Sequence, residues 1–340
     1  GYLLNCEVPG FAKFDRKNYF YPDASKDYQI TQFDFPSTTT GHVDFEFGGG
    51  IERVRITRAH IEEDVGKSNH FDQHSGVDFN RAGVPLLEIV SEPDLRSADM
   101  AYDYLNALKE ILIYGGISDC DMEKGMVRCD VNISVRPIGA EELGVKVEIK
   151  NMNTFSGVRR AINYEVPRQI ETLESGGSLV QETRRWDDIA GITESMRTKE
   201  QAHDYRYFPE PDIMPLKPSE SWLSEVRSHI VELPLARKQS FVRDYGVPAQ
   251  DADVFVGNVP LGGFFEQAVS GDKNAKSIAN WVINNLQARL VETGTTMRAA
   301  GLDVLASLMS TEACASCARS GVRTAPLSPR ITASLALAGM

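Results

Sequence analysis

The stretch Val127-Arg-Cys-Asp-Val-Asn-Ile-Ser-Val-Arg136 alternates apolar and polar side chains along its whole length. A second stretch, Val145-Lys-Val-Glu-Ile-Lys150, repeats this alternation. A period of two residues is typical of a β-strand with one buried face, so both stretches predict strands of a sheet that is apolar on one face and ionic on the other. The ionic face is either the solvated side of an antiparallel sheet or a charged floor beneath a nucleotide.

Further strands are predicted on the N-terminal side. Residues 43–47 alternate apolar and polar side chains, Gly48-Gly49-Gly50 supplies a turn, and residues 51–57 return, which indicates a hairpin. Residues 85–90 are nearly continuous in apolar character and predict a buried strand, with Glu88 as its lone carboxylate.

Helical patterns alternate with these strands. Ser97 is a good N-cap for a helix that runs to about Tyr114. Residues 155–175 predict a helix that Pro167 should kink or split in two. A second hairpin is predicted from residues 181–187 and 193–199. It carries Arg184, Arg185, Arg197 and Lys199.

The C-terminal part changes character. Residues 204–216 hold three prolines and predict a rigid extended connector, with a domain boundary near Pro218. Residues 225–245 and 275–292 show helical patterning, whereas the chain from about Thr296 predicts a weak helix or disorder. The fold class is therefore α+β, a mixed or antiparallel sheet followed by an α-helical domain.

Composition excludes several classes of protein. The 340 residues are 42% hydrophobic and 25% charged, which is ordinary for a chain of two or three domains, and no apolar run is long enough to span a membrane. The five cysteines are scattered and odd in number, which argues against a secreted disulfide framework. A net charge of −12 disfavours broad binding to nucleic acid, such as DNA. We expect a cytosolic or organellar-matrix location.

Two stretches are candidates for chemistry. Residues 13–23, Lys-Phe-Asp-Arg-Lys-Asn-Tyr-Phe-Tyr-Pro-Asp, could clamp a phosphate while stacking on a base, or form an exposed hairpin with a basic rim. The acidic run His60-Ile-Glu-Glu-Asp64, together with Glu88, could bind Mg²⁺ between strands, or be solvated charge. A carboxylate in an apolar strand lowers the stability of the fold unless it is paired or metal-bound, which favours Glu88 as a metal ligand over simple solvated charge.

Other motifs fail on inspection. Gly66-Lys67-Ser68 resembles the end of a phosphate-binding loop, but Ile61 stands where the first glycine is needed. No Gly-x-Ser-x-Gly elbow occurs, and Cys314-x-x-Cys317 alone cannot complete a zinc site. His70 and His74 are four residues apart but lack the following Glu of a zinc protease.

Taken in order, several motifs resemble one family. The chain is similar over residues 1–297 to GatB, the B subunit of the aspartyl/glutamyl-tRNA(Asn/Gln) amidotransferases. The motifs that carry the resemblance are residues 13–23, 56–68, 78–94, 122–153 and 205–216. The resemblance implies a GatB/E-like catalytic cradle in residues 1–216, a helical tRNA-contacting domain in 217–297, and a divergent tail, disordered or frameshifted, in 298–340.

The resemblance also implies a reaction. Members are ligases that bind misacylated Glu-tRNA(Gln) or Asp-tRNA(Asn) and use ATP and Mg²⁺ to phosphorylate its side-chain carboxylate. Ammonia, which the amidase partner in the complex releases from glutamine, then displaces the phosphate, and a small third partner makes the complex a heterotrimer. Such a transfer between anions needs a metal and cationic side chains to hold the developing charge.

Residue roles follow from the same resemblance. Glu63 and Glu88 correspond to metal ligands. Lys13, Arg16, Lys67 and Arg128 become candidate phosphate contacts, and Asp130, Asn132 and Lys150 support them. Among these nine, the resemblance assigns Lys13, Arg16, Asp130 and Lys150 to catalysis and Lys67, Arg128 and Asn132 to ATP binding.

Two departures leave alternatives open. The family's opening strand, with a Glu-x-His motif, lies upstream of Gly1, and the chain from Thr296 is unlike the family's tail domain. A tRNA-binding scaffold without kinase activity is therefore one alternative, and a metal-dependent hydrolase that uses Glu63 and Glu88 is another.

Overall fold

The computed structural model describes residues 1–198, 204–269, 274–294, 297 and 332–338. The chain divides into two compact units, Gly1–Val231 together with Pro329–Met340, and Glu232–Ser328. None of the helices that the structure describes combines the length and apolar character needed to cross a membrane.

The described residues of the first unit contain the strands, a short 3-10 helix, Tyr2–Leu4, and three α-helices. The strands are β1 Asp15–Asn18, β2 Tyr28–Thr31, β3 Thr38–Phe47, β4 Gly50–Glu63, β5 Lys67–His70, β6 Ser75–Asp78, β7 Pro85–Ser91, β8 Val127–Ile133, β9 Val147–Lys150, β10 Glu182–Asp187, β11 Ile192–Thr198, β12 Phe208–Pro209 and β13 Thr332–Ala338. The helices are α1 Ala98–Tyr114, α2 Phe155–Glu174 and α3 Glu220–Ser228.

An eight-stranded sheet organises this unit, in the order β11-β10-β9-β8-β13-β7-β4-β3. Its pairs β3/β4, β4/β7, β8/β9 and β10/β11 are antiparallel, whereas β9/β10 and both neighbours of β13 pair in parallel. The mixed sheet, both predicted hairpins and the strand at residues 85–90 are thereby confirmed, although only Leu86 and Ile89 of residues 85–90 are buried.

The apolar core lies between this sheet and helices α1 and α2. Ser97 Oγ accepts a hydrogen bond from the backbone N–H of Met100 at 3.1 Å, which caps α1 as predicted. The ring of Tyr104 on α1 packs edge-on against Phe45 of β3, with ring centroids 5.9 Å apart. The odd-numbered residues of β8 are buried, and the even-numbered ones between them are only partly so. The charged side chains of β8 therefore lie on the sheet face opposite its buried residues.

Helix α2 is a single helix, so the prediction that Pro167 could split it is wrong. Glu165, which is fully buried, accepts hydrogen bonds from Arg168 at 2.9 Å, from Gln169 at 3.0 Å and from Thr193 of β11 at 2.7 Å. These contacts tie the turns on both sides of Pro167 to the sheet, and such tertiary contacts override the local helix-breaking preference.

A small sheet, β12-β1-β2, contains the aromatic and basic run at residues 13–23. Its Asp15 is buried, and the backbones of Ala12 and Leu216 exchange hydrogen bonds of 2.9 and 2.7 Å. The proline-rich segment 204–216, predicted to be a rigid extended connector, also pairs with the small sheet, since its strand β12 lies antiparallel to β1.

The described part of the second unit is helical. It contains α4 Pro234–Tyr245, α5 Ala249–Gly257, α6 Val259–Val269, α7 Ala275–Trp281 and α8 Gln287–Glu292. The helical pattern at residues 225–245 is divided between α3 and α4, because Pro234 begins a new helix. A π-helical turn, Val282–Leu286, joins α7 to α8, which confirms the helical pattern at 275–292.

In the tail, predicted to be a weak helix or disordered, residues 332–338 instead form β13 between β7 and β8. Backbone hydrogen bonds to two neighbouring strands stabilise an extended segment whatever its local pattern. Lys199, Cys314 and Cys317 lie outside the described residues.

Candidate active site

Three metal-ligating side chains meet where β4 pairs with β7. The antiparallel register places His60 directly opposite Glu88, and Glu62 lies on the same face of β4 as His60, two residues on. One ligand atom from each of these residues lies within 4.8 Å of the other two. We call His60, Glu62 and Glu88 the acidic triad.

Burial has opposite effects on the members of the triad. It is the main cause that lowers the pKa of His60 to about 3, with the charges of Arg58 and Lys17 adding to it. Burial, with the negative charge of Glu88, raises the pKa of Glu62 to about 7. Burial also raises the pKa of Glu88, against the lowering effect of Lys17 and Arg58. At neutral pH the imidazole is therefore uncharged and keeps a lone pair for a metal.

The triad fits a divalent cation. His60 Nδ1 is buried and has no hydrogen-bond partner, and two carboxylates that repel each other stand beside it. A bound cation would offset the repulsion and could take His60 Nε2, which lies 3.5 Å from Glu88 Oε2, as a further ligand. Two carboxylates suit Mg²⁺, and the imidazole extends the fit to Mn²⁺ or Zn²⁺.

The ionic face of β8 and β9 lies on the same side of the sheet as the triad, from which β13 separates it. Lys150 Nζ lies 2.7 Å from Asp130 Oδ2 and 3.3 Å from a Glu148 oxygen, and Arg128 forms an ion pair with buried Asp64. Strand alternation puts Asn132 on this face as well. Asp130 and Lys150 are close enough to the triad to affect the pKa of Glu88. The Asp130 and Lys150 side chains are also 34% and 38% exposed, so both the charged floor and the solvated face stay predictions.

Several residues proposed from the sequence are not members of the triad. Glu63 points to the opposite face of β4, where it pairs with Lys26 and accepts a hydrogen bond from the Ile30 amide at 2.9 Å. Lys13 pairs with Asp15 and, at 2.6 Å, with Asp34.

Arg16 and Lys67 also lie outside the triad. Arg16 binds both oxygens of Glu210, at 2.6 and 2.9 Å. Lys67 is exposed on β5, across from Asp78.

Sequence reasoning singled out the run His60 to Asp64, but it named Glu63 and not His60 or Glu62 as the partner of Glu88, and it did not identify Lys17 as a nearby cation. The signal was present in the run His60 to Asp64, because residues two apart on a strand share a face. Choosing between Glu62 and Glu63 required the pairing of β4 with β7, which no local pattern contains.

Comparison with known proteins relates the sequence of this chain to one family. A family model described as the GatB/GatE catalytic domain matches residues 1–224. The chain is 50% identical over 295 residues to the B subunit of the aspartyl/glutamyl-tRNA(Asn/Gln) amidotransferase of Caldanaerobacter subterraneus subsp. tengcongensis. It is 52% identical to the proteins of the same name from Carboxydothermus hydrogenoformans, over 296 residues, and Staphylococcus carnosus, over 287.

These alignments cover 86%, 86% and 84% of this chain, in that order. The chain spans only 62%, 62% and 60% of the length of the same three relatives. The family model covers well over half of the chain, which is enough to assign the chain to that family. The chain belongs to the GatB/GatE catalytic-domain family.

Proposed function

We propose that this chain acts as the B subunit of a tRNA-dependent amidotransferase. In this proposal it binds misacylated Glu-tRNA(Gln) or Asp-tRNA(Asn) and transfers the γ-phosphate of ATP to the side-chain carboxylate. Ammonia derived from glutamine then displaces the phosphate and leaves an amide. A free carboxylate is a poor acyl donor, so the phosphorylation is what makes the amide-forming step feasible.

The acidic triad is the observation that carries this proposal. Two carboxylates and a neutral imidazole converge within 4.8 Å, next to the charged face of β8 and β9. Holding buried Glu62 next to part-buried Glu88 lowers stability unless a cation joins the two carboxylates. This loss of stability would be offset in a site that binds a metal ion together with its nucleotide.

Each group has a defined task in this scheme. His60, Glu62 and Glu88 would hold the cation, and bound Mg²⁺ neutralises phosphate charge during phosphoryl transfer. Lys17 and Arg58, whose positive charges reach the triad, would orient and stabilise the transferring phosphoryl group. Lys150 and Asp130 form an ion pair on the adjoining floor and would position the substrate carboxylate.

Partners supply the rest of the reaction. We propose an amidase partner as the source of ammonia and a small third partner that joins the amidase to this chain in a heterotrimer. Helices α4 to α8 would contact the tRNA. The alternative, a tRNA-binding scaffold without chemistry, leaves the cost of the buried acidic triad unexplained.

Transfer of labelled γ-phosphate from ATP to Glu-tRNA(Gln), with the amidase and the small partner present, tests the proposal. We expect transfer with the unaltered chain and a loss of at least about a hundredfold in Glu88→Gln. Glu52→Gln removes an exposed carboxylate from the far end of β4 and should transfer normally. Absence of transfer from the unaltered chain, with the complex intact, would favour the scaffold.

A further inference from the structure

Four aromatic side chains from three segments of the first unit form a continuous row. The centroid of the Tyr19 ring lies 6.3 Å from that of Tyr205, and Tyr205 lies 6.0 Å from Tyr207. Tyr207 stacks on Phe33 with a centroid distance of 4.1 Å and an interplanar angle of 8°. We call Tyr19, Tyr205, Tyr207 and Phe33 the aromatic row.

The row borders the acidic triad. Thr31, two residues before Phe33, donates a hydrogen bond from its hydroxyl to Glu62 at 3.4 Å. Arg58 on β4, whose charge acts on His60 and Glu88, donates to the carbonyl oxygen of Phe33 at 2.6 Å. A ligand stacked on the row would therefore reach the triad with its charged end.

Phe33 is exposed yet held in place. Half of its surface, 50%, is open to solvent although Tyr207 covers one side of the ring. Its backbone N–H donates to the buried carboxylate of Asp15 at 3.1 Å, and its carbonyl accepts from Arg58. A large apolar side chain that is both exposed and rigidly anchored is typical of a binding surface.

The opposite end of the row is also anchored. Asn18 donates from its side-chain amide to the carbonyl oxygens of Tyr205 at 3.2 Å and Arg206 at 2.7 Å. Arg206 adopts a left-handed backbone conformation with φ of 48°, which is unfavourable for a residue with a side chain. The ammonium of Lys17 lies 4.8 Å from the centroid of the Tyr205 ring. The row thus combines fixed aromatic faces with a cation.

We propose that the aromatic row stacks on an adenine base, with Phe33 as the exposed face and Lys17 beside the attached phosphate. Interleaved aromatic and basic side chains bind unpaired bases by stacking and by charge. The inference rests on the proposed function, whose two substrates each offer an adenine: ATP, and the terminal adenosine of the tRNA acceptor end. Its position beside the triad fits either source.

Binding measurements on the full chain test the inference and separate the sources. The probes are ATP with Mg²⁺ and a single-stranded RNA that ends in CCA, each titrated by calorimetry. We expect Phe33→Ala to weaken one of them about tenfold or more, and Phe33→Trp, which keeps a stacking face, to bind normally. Phe71→Ala removes another exposed ring, 58% accessible, from the β5–β6 hairpin and should change neither affinity.

The weakened ligand identifies the source of the base. Equal affinities of Phe33→Ala and the unaltered chain for every probe that binds would overturn the inference, as would the failure of both probes to bind the unaltered chain. A different result would contradict the proposed function: the unaltered chain transfers no phosphoryl group, while base binding still depends on Phe33. Thermal melting of each variant verifies that a loss of binding is not a loss of fold.

Discussion

His60 Nε2 lies 3.5 Å from Glu88 Oε2, because the antiparallel register of β4 and β7 sets the two residues directly opposite each other. The contact is longer than a good N–H···O hydrogen bond, so the two side chains are adjacent without being firmly bonded. Backbone pairing, and not a side-chain bond, therefore keeps the acidic triad together. Substitutions in the triad should change its charge while leaving the sheet intact.

Glu62→Gln should become more stable than the unaltered chain as the pH rises. The pKa of Glu62 is raised from 4.5 to about 7, so between these values the folded chain keeps a proton that the unfolded chain has released. By linkage, the unaltered chain loses stability over this range, by about 3 kcal/mol once the pH exceeds 7. Denaturant unfolding of both proteins with a chelator, at pH about 4.5 and about 8, measures the difference.

The comparison between variants is needed because His60 has the opposite effect. Its pKa is lowered from 6.5 to about 3, so the unfolded chain takes up a proton first and stability falls as the pH drops below 6.5. Both proteins retain His60, and its contribution cancels in the difference. A stability difference that stays constant from pH 4.5 to 8 would contradict the raised pKa of Glu62.

The sheet was largely predictable from the sequence, because a two-residue period in Val127 to Ile133 and Val147 to Lys150 identifies a strand and its faces. The same period marks the charged face of β8 and β9. Partners distant in sequence were not predictable. Arg16 and Glu210 are 194 positions apart, and no pattern near Arg16 shows that a carboxylate binds it.

Elements that depend on tertiary contacts were predicted less well. Pro167 looks like a break in a helix, yet buried Glu165 bonds to side chains on the same helix and to Thr193 of β11. The register of β4 with β7 sets His60 opposite Glu88, so Glu62 and not Glu63 shares a sheet face with Glu88. Local periodicity identifies a strand but not its neighbour, so the sequence could locate the acidic run without showing which of its side chains share a face with Glu88.

Glu165→Ala should destabilise the first unit strongly. Its carboxylate is completely buried and bonded to Arg168, Gln169 and Thr193. Removing one member of a buried charged network costs about 3–5 kcal/mol, since the remaining cation loses its partner. Glu171→Ala, at an exposed position on the same helix, should cost about 0.5 kcal/mol or less. Equal free energies of unfolding for the two variants would contradict this role of Glu165.

Arg16→Ala should lower the melting temperature by releasing the chain that follows β12. Arg16 binds both oxygens of Glu210, whose side chain is almost fully buried, and so joins β1 to that segment. We expect Glu210→Gln to lower the melting temperature too, and the double variant to lose less than the sum, because both changes break one interaction. Calorimetric melting of the three variants measures this coupling, and strictly additive losses would argue against it.

Substituting the two neighbouring glutamates of β4 should separate metal binding from structure. Glu62 belongs to the acidic triad, whereas Glu63 pairs with Lys26 on the other face. We expect Glu62→Gln to weaken Mn²⁺ binding about tenfold or more, because a carboxylate ligand and its charge are lost, and Glu63→Gln to bind Mn²⁺ normally. Titration followed by the paramagnetic resonance of free Mn²⁺ measures both affinities. Weaker binding in Glu63→Gln alone would move the metal to the Lys26 side of the strand.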